Sequence, residues 1–300
     1  MTHTLALRRI AALSALALTV TVVCSPLWAQ SRIPSAAVGG AGKVAEAPKA
    51  ADPKAADPKA ADPKAADPKC AVQPEFARFD QRLSRVALRL AGGDPIKIVA
   101  IGSSSTFGAG SSSPANSYPS RLEAELRRYF PDHPITVVNR GVNGEEAADM
   151  LARFPTSVIA EDPHLVIWQV GTNSLLRDRP LDVRSPILQD GIAQLKSRRM
   201  DVVMMDPQYV PRVLAKPERD AAVAQIASVA KEQKIGLLHR YDMMRHWHET
   251  EHLAFETFVT GDGLHMNDWG YRCLAASLGV AIADAATRPT ETAVLPAVKR

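Results

Sequence analysis

Long apolar runs are scarce in this 300-residue chain. Ile10 to Val23 forms one, and it is too short to span a bilayer comfortably. No later segment is long and apolar enough to cross a membrane. Positive charge is thin as well. The formal net charge is +4, part of it lies at the N-terminus, and nowhere do basic residues form a stripe with interleaved aromatics. Nucleic acid is therefore not an expected partner. Cysteine is rarer still, with Cys24, Cys70 and Cys273 as the full set.

The N-terminal run has the flanks of a leader. Arg8 and Arg9 precede it, and small or polar residues follow it to Ala29. Residues 1–29 read as a secretory signal peptide cleaved after Ala29. An uncleaved anchor is one alternative. A lipoprotein signal at Cys24 is another, against which stands Val23, where a small residue is expected. Export predicts a periplasmic or extracellular protein in an oxidising compartment. There Cys70 and Cys273 either pair as a disulfide or stay as two thiols.

Residues 30–70 read as a linker without fixed structure. From Lys49 to Pro68 the unit Lys-Ala-Ala-Asp-Pro occurs four times. A proline every fifth residue blocks a continuous helix and favours extended conformations. With almost nothing large and apolar to bury, the segment is expected to remain solvated. It suits a semi-rigid spacer that holds the domain near envelope polymer, and a neutral repeat expansion explains it equally well.

Residues 71–290 read as the globular domain, and 291–300 as a loose tail. Phe76, Phe79, Leu83, Val86 and Leu90 recur at helical spacing and predict a helix ended by Gly92 and Gly93. Short apolar strands are predicted at 96–101, 135–139, 165–170, 202–205 and 235–238. Helices are predicted between them at about 118–130, 145–154, 186–199 and 217–233, with a last one at about 267–285. Such alternation predicts an α/β fold, a three-layer α/β/α sandwich around a five-stranded, mainly parallel sheet. Sites in such sheets collect at the carboxyl ends of the strands.

Polar groups stand at those ends. Gly102-Ser-Ser-Ser-Thr106 follows the first strand, Gly144 the second, and Gly171-Thr-Asn173 the third. Asp262-Gly-Leu-His265 precedes the last helix. A serine hydroxyl needs an imidazole to take its proton, and the imidazole needs an orienting acceptor. His265 and Asp262 offer both, with Asp268 as an alternative acid. A tetrahedral intermediate needs donors, which the Ser104 N–H, the Gly144 N–H and the Asn173 side-chain amide offer. Ser103, Ser104 and Ser105 are all possible nucleophiles on residue type alone.

These residues resemble the four ordered blocks of the SGNH/GDSL hydrolase family. Gly102-Ser103-Ser104 takes the place of the family's Gly-Asp-Ser, with Ser103 where the family has Asp. Gly144, Gly171-Thr172-Asn173 and Asp262-Gly-Leu-His265 match the other three, and Asn267-Asp-Trp-Gly-Tyr271 looks like the family's continuation. The resemblance implies a flavodoxin-like sheet and a serine esterase working through an acyl-enzyme without a cofactor. It implies Ser104, His265 and Asp262 as the catalytic residues, and Ser104, Gly144 and Asn173 as the oxyanion hole. It points to an ester substrate, best an O-acetyl or other O-acyl group on a carbohydrate, with a lipid ester as the other class. A carbohydrate O-acyltransferase, a lipase, lysophospholipase or thioesterase, and a non-catalytic envelope-binding protein stay open.

His248-Glu-Thr-Glu-His252 fits a zinc-binding spacing if it is helical. No convincing third ligand follows it, so no metal is expected, and the segment reads as a solvated helix edging the cleft. On the substrate side, Arg177 and Arg179 follow the Asn173 loop, and Gln208, Tyr209 and Arg212 follow the fourth strand. Arg177, Gln208 and Tyr209 are the candidate substrate-binding residues. Trp247 and Trp269 are candidates for a sugar-stacking wall, whereas Trp168, inside a strand, belongs to the core.

Overall fold

Short β-branched and apolar runs between polar turns form the strands. In the computed structural model, which describes residues 69–180 and 184–289, they are β1 (Ile96–Gly102), β2 (Ile135–Gly141), β3 (Leu165–Gln169), β4 (Asp201–Met205) and β5 (Gly236–Leu238). The signal-peptide reading, the linker up to residue 68 and the tail from 291 lie outside the described residues. The strands pair in parallel in the order β2-β1-β3-β4-β5. This is the flavodoxin-like order, whose topological switch lies between β1 and β3.

Helices connect the strands: α1 (Ser84–Ala91), α2 (Ser104–Phe107), α3 (Tyr118–Tyr129), α4 (Ala147–Ala152), α5 (Phe154–Ser157) and α6 (Thr172–Leu176). They continue as α7 (Arg184–Ser197), α8 (Pro211–Leu214), α9 (Arg219–Glu232), α10 (Arg240–Glu249), α11 (Phe255–Phe258) and α12 (Asp268–Thr287). Strand side chains alternate between two apolar layers. Ile98, Ala100, Leu165, Ile167 and Val203 pack with α1, α3, α10 and α12. Val99, Ile101, Val166, Trp168 and Met204 pack with α4, α5, α7 and α9. Each fully buried large aliphatic side chain contributes roughly 1.5–3 kcal/mol, so a sheet covered on both faces carries most of the fold's stability. Trp168 is fully buried, as its place in a strand requires.

The first helix is shorter than its periodicity predicts. It begins at Ser84, although Phe79 and Leu83 are buried before it. The Asp201 carboxylate sets this start by accepting the N–H groups of Arg85 and Val86 at 2.9 and 3.0 Å. These are donors that a helix leaves unpaired in its first turn. Burial pushes the Asp201 carboxyl up to about 6, against those hydrogen bonds. Cys70 and Cys273 form a disulfide with a Cα–Cα distance of 5.3 Å, so the pairing alternative holds.

One glycine at the end of β2 fixes the approach of the nucleophile turn. A Cβ placed on Gly141 would lie 2.0 Å from the Phe107 nitrogen and 2.5 Å from its Cα, both backbone atoms. Backbone cannot rotate away as a side chain can, so α2 would have to move. Gly141→Ala is expected to destabilise the protein by about 3 kcal/mol or more, at the upper end of overpacking costs. Chemical denaturation checks it, and a loss under about 1 kcal/mol, as for an ordinary surface substitution, would show that the turn yields easily.

Candidate active site

Ser104 opens α2 directly after β1, with Ser103 as the preceding cap residue. Ser103 and Ser105 are buried, whereas Ser104 is half-exposed. The Ser103 hydroxyl donates to Gln169 Oε1 at 3.1 Å. Ser104 Oγ instead lies 2.9 Å from His265 Nε2. The geometry thus singles out one of the three serines.

His265 and Asp262 sit on a turn braced from within. Asp262 Oδ1 accepts the N–H groups of Leu264 and His265 at 2.8 and 2.9 Å and the Thr260 hydroxyl at 2.7 Å. Its Oδ2 faces His265 Nδ1 at 2.5 Å. Partial burial works to raise the Asp262 carboxyl, but the hydrogen bonds from His265, Leu264 and Thr260 outweigh it and hold the group far below the usual carboxylate range. An ionised Oδ2 accepts only, so Nδ1 carries the ring proton and Nε2 is left as the acceptor for the Ser104 hydroxyl. Asp268, the alternative acid, is committed elsewhere: it accepts from Ser112 N–H at 2.8 Å and from the Ser112 hydroxyl and Asn116 amide.

The three donor residues follow β1, β2 and β3, neighbours at one edge of the sheet. As the first residue of α2, Ser104 has an N–H with no acceptor inside the helix. Gly144 has φ 79°, a left-handed conformation that side chains disfavour. Asn173 Nδ2 donates one hydrogen to the Glu145 carbonyl at 2.8 Å and keeps a second.

Several substrate-side expectations are corrected. Gln208 is buried; its amide donates to the Leu264 carbonyl at 3.2 Å, and its Oε1 accepts the Thr172 hydroxyl at 2.9 Å. It braces the histidine turn from below. Tyr209 is also buried, donates to Glu249 Oε1 at 2.5 Å and packs edge-on against Tyr241. Burial and the Glu249 charge push its hydroxyl up to about 12. Trp247 and Trp269 are buried and pack against each other with centroids 5.1 Å apart, so they form core and no sugar-stacking wall. Arg177 stays exposed, but its two terminal nitrogens bond to Glu146 and to the Gly144 carbonyl. Arg212 is exposed on α8, and its N–H donates to the Gly263 carbonyl at 3.1 Å.

The His248–His252 segment is not a solvated helix. α10 ends at Glu249, and His252 has φ 56°, so the two histidines do not share a helical face. His248 Nδ1 lies 2.9 Å from the Leu253 carbonyl, and its ring stacks on Phe255 at 4.0 Å.

Several buried polar groups, some of them bonded to the nucleophile turn, escaped the sequence reading. Gln169, at the end of β3, accepts from the Ser103 N–H at 2.9 Å and from the hydroxyls of Ser103 and Thr106. A polar residue closing the apolar run Leu165–Trp168 was the available signal. Arg240 and Asp206 lie fully buried, with Arg240 Nε donating to the Asp206 carbonyl at 2.9 Å. Burial pushes Asp206 up to about 7 and Arg240 down to about 10. Nearby, Tyr118 bonds the Thr106 hydroxyl at 3.1 Å, and Tyr271 donates to the Ala109 carbonyl at 2.6 Å. Gln169, Tyr118 and Tyr271 together hold both ends of the turn that carries Ser104. A separate cavity of about 270 Å³ opens between α4, α6, α7 and α9, lined by Val170, Leu188 and Ile226 among others. None of Ser104, Asp262 and His265 is in its wall.

Comparison with known proteins identifies the family. An arylesterase of Vibrio mimicus is 29% identical over 150 residues, covering 50% of this chain and 70% of that protein. An acetylxylan esterase of Geobacillus stearothermophilus is 30% identical over 95 residues, covering 28% of this chain and 43% of that protein. The crystal structure of a two-domain esterase active on acetylated mannans shares the fold, with a TM-score of 0.60 at 19% identity, covering 73% of this chain and 58% of that one. The Non-GDSL lipase-like family model matches residues 69–288, a span that holds the whole sheet and every group at its carboxyl edge. On that match the chain belongs to the Non-GDSL lipase-like family and is an ester-bond hydrolase of the SGNH/GDSL-like kind.

Proposed function

We propose that this hydrolase removes O-acyl groups, foremost O-acetyl, from carbohydrate through an acyl-enzyme on Ser104. The observation that carries the reading is the hydrogen-bonded chain from Ser104 Oγ through His265 to Asp262, at 2.9 and 2.5 Å. In this reading Ser104 Oγ attacks the ester carbonyl while its proton passes to His265 Nε2. The new oxyanion meets the Ser104 and Gly144 N–H groups and the second Asn173 amide hydrogen. His265 then returns the proton to the departing sugar oxygen as the tetrahedral centre collapses. Water repeats the sequence on the acyl-enzyme, giving its proton to His265 and releasing the carboxylic acid and free Ser104. Asp262 orients the ring and stabilises the imidazolium in each half.

The carbohydrate part of the reading draws on the relatives active on acetylated xylan and mannan. The leader-like N-terminus and the proline-punctuated repeat support export and a polymer substrate in or near the envelope. Wild-type protein is expected to release acetate from acetylated xylo- and manno-oligosaccharides. Its kcat/KM on simple esters is expected to fall by about tenfold or more from acetyl to octanoyl, within the range by which apolar pockets discriminate chain length. Initial rates across that ester series, with acetate measured from the oligosaccharides, decide the matter. A preference for long acyl chains and no acetate release would refute the carbohydrate assignment.

A further inference from the structure

We infer that Arg177 is a positioning residue for the oxyanion: it fixes the shape of the Gly144 segment and so aims the Gly144 N–H. This deepens the proposed function and rests on the role given there to Gly144. Packing does not dictate the shape of this segment. A Cβ built on Gly144 would have only Arg177 Nη2 within 4 Å, at 3.6 Å. Hydrogen bonds set it instead. Arg177 Nη2 donates to the Gly144 carbonyl at 2.8 Å, and Asn173 Nδ2 donates to the Glu145 carbonyl at 2.8 Å.

Asn173 and Arg177 are four residues apart, so they project from the same side of one helical turn. Two successive carbonyls of the glycine segment are therefore tied to α6 and its C-cap residue. Peptide groups are planar, so an anchored Gly144 carbonyl fixes the plane that follows the residue. The Gly144 N–H lies in the preceding peptide plane, which the Gly144 φ of 79° and its ψ relate to the anchored one, so holding the carbonyl restrains where the N–H points.

The next residue is held as well. Glu146 Oε1 accepts Arg177 Nη1 at 2.8 Å, and Oε2 accepts the Ser174 hydroxyl at 3.0 Å. Glu146 also caps α4 in a reciprocal box with Asp149. On its other side, Glu145 accepts Arg153 Nε at 2.8 Å. Arginine suits this place because its planar fork reaches a carbonyl and a carboxylate at once, which a lysine ammonium cannot do in the same geometry. The Arg177 side chain is 46% exposed, so its ion pair with Glu146 is screened and adds little to stability. Its contribution is to geometry. A displaced donor costs rate steeply, since a misplacement of about 1 Å can cost roughly 100-fold.

The test is steady-state kinetics of Arg177→Met and Arg177→Lys on an uncharged aryl acetate and on an aryl hemisuccinate, which carries a negative charge. For Arg177→Met, kcat on the uncharged acetate is expected to fall about 10- to 100-fold with KM within about threefold. Inactivation by a neutral fluorophosphonate should slow by a similar factor, while the melting temperature barely moves. Arg177→Lys should recover only part of the rate. A kcat within twofold of wild type on the uncharged acetate overturns the inference. So does a loss confined to KM for the hemisuccinate, which would make Arg177 a contact for anionic substrate. If Arg177→Met does not fold, Glu146→Gln replaces it; a fall of at least about fivefold in kcat supports the inference, and an unchanged kcat overturns it. Ser104→Ala separates the two levels. If it keeps wild-type activity, the proposed function fails. If it is inactive while Arg177→Met equals wild type, only the positioning role fails.

Discussion

Replacing Ser104 with alanine is expected to lower kcat by about 10⁶-fold, the scale found when a serine hydrolase loses its nucleophile. The loss should be so large because no neighbour can take over. Ser103 and Ser105 flank the position but are buried, and the Ser103 hydroxyl is bonded to Gln169. His265 Nε2 faces Ser104 Oγ at 2.9 Å. A small residual rate should survive, because the oxyanion donors and the binding surface remain. Fluorophosphonate labelling followed by intact-mass measurement provides the direct check. Wild type should gain one adduct and Ser104→Ala none. A variant that still labels and turns over at a tenth of the wild-type rate would move the nucleophile to another residue.

Asp262→Asn is expected to lower kcat by about 10⁴-fold, as when a triad carboxylate becomes an amide. The turn makes this variant severe for a specific reason. Oδ1 accepts three donors, from Thr260, Leu264 and His265 N–H. An asparagine must turn its carbonyl oxygen toward them, which leaves its NH₂ facing His265 Nδ1. That nitrogen must then accept, and the ring proton moves to Nε2, where it blocks proton uptake from Ser104. Stability should respond to pH in a defined direction. The Asp262 carboxyl is depressed in the fold, so its stabilisation is present above the unfolded value of about 4. It is lost as pH falls through the lower folded value. The melting-temperature deficit of Asp262→Asn should therefore be full at pH 6 and shrink toward pH 3. A kcat within tenfold of wild type would remove Asp262 from the orienting role.

The strands and long helices were legible because hydrophobic period and turn residues act locally. Their apolar runs at 96–101 and 165–170 bury where the sheet needs them. The start of α1 was not legible, because the Asp201 side chain that caps it lies more than 100 residues away. Residue types left three serines open and the family resemblance chose Ser104 with His265 and Asp262; three-dimensional contact brought these together. Position after a strand proved a weaker guide for Gln208 and Tyr209. Both follow β4 at the correct edge, yet their side chains turn inward to Leu264 and Glu249, and nothing in local spacing sets that direction. Trp247 and Trp269 misled in the same way, since a tryptophan near a site packs in the core as readily as it lines a cleft. The Arg240–Asp206 pair was unreadable because charged residues are expected at the surface.

The Cys70–Cys273 link sets a load path through the molecule. Tension applied along the chain upstream of residue 70 enters α12 through a covalent bond. It reaches a deeply packed helix without first peeling away residues 71–83. A pull from that end is thus shared with the α12 packing layer, which also meets the Ser104 turn through the Tyr271 hydroxyl on the Ala109 carbonyl.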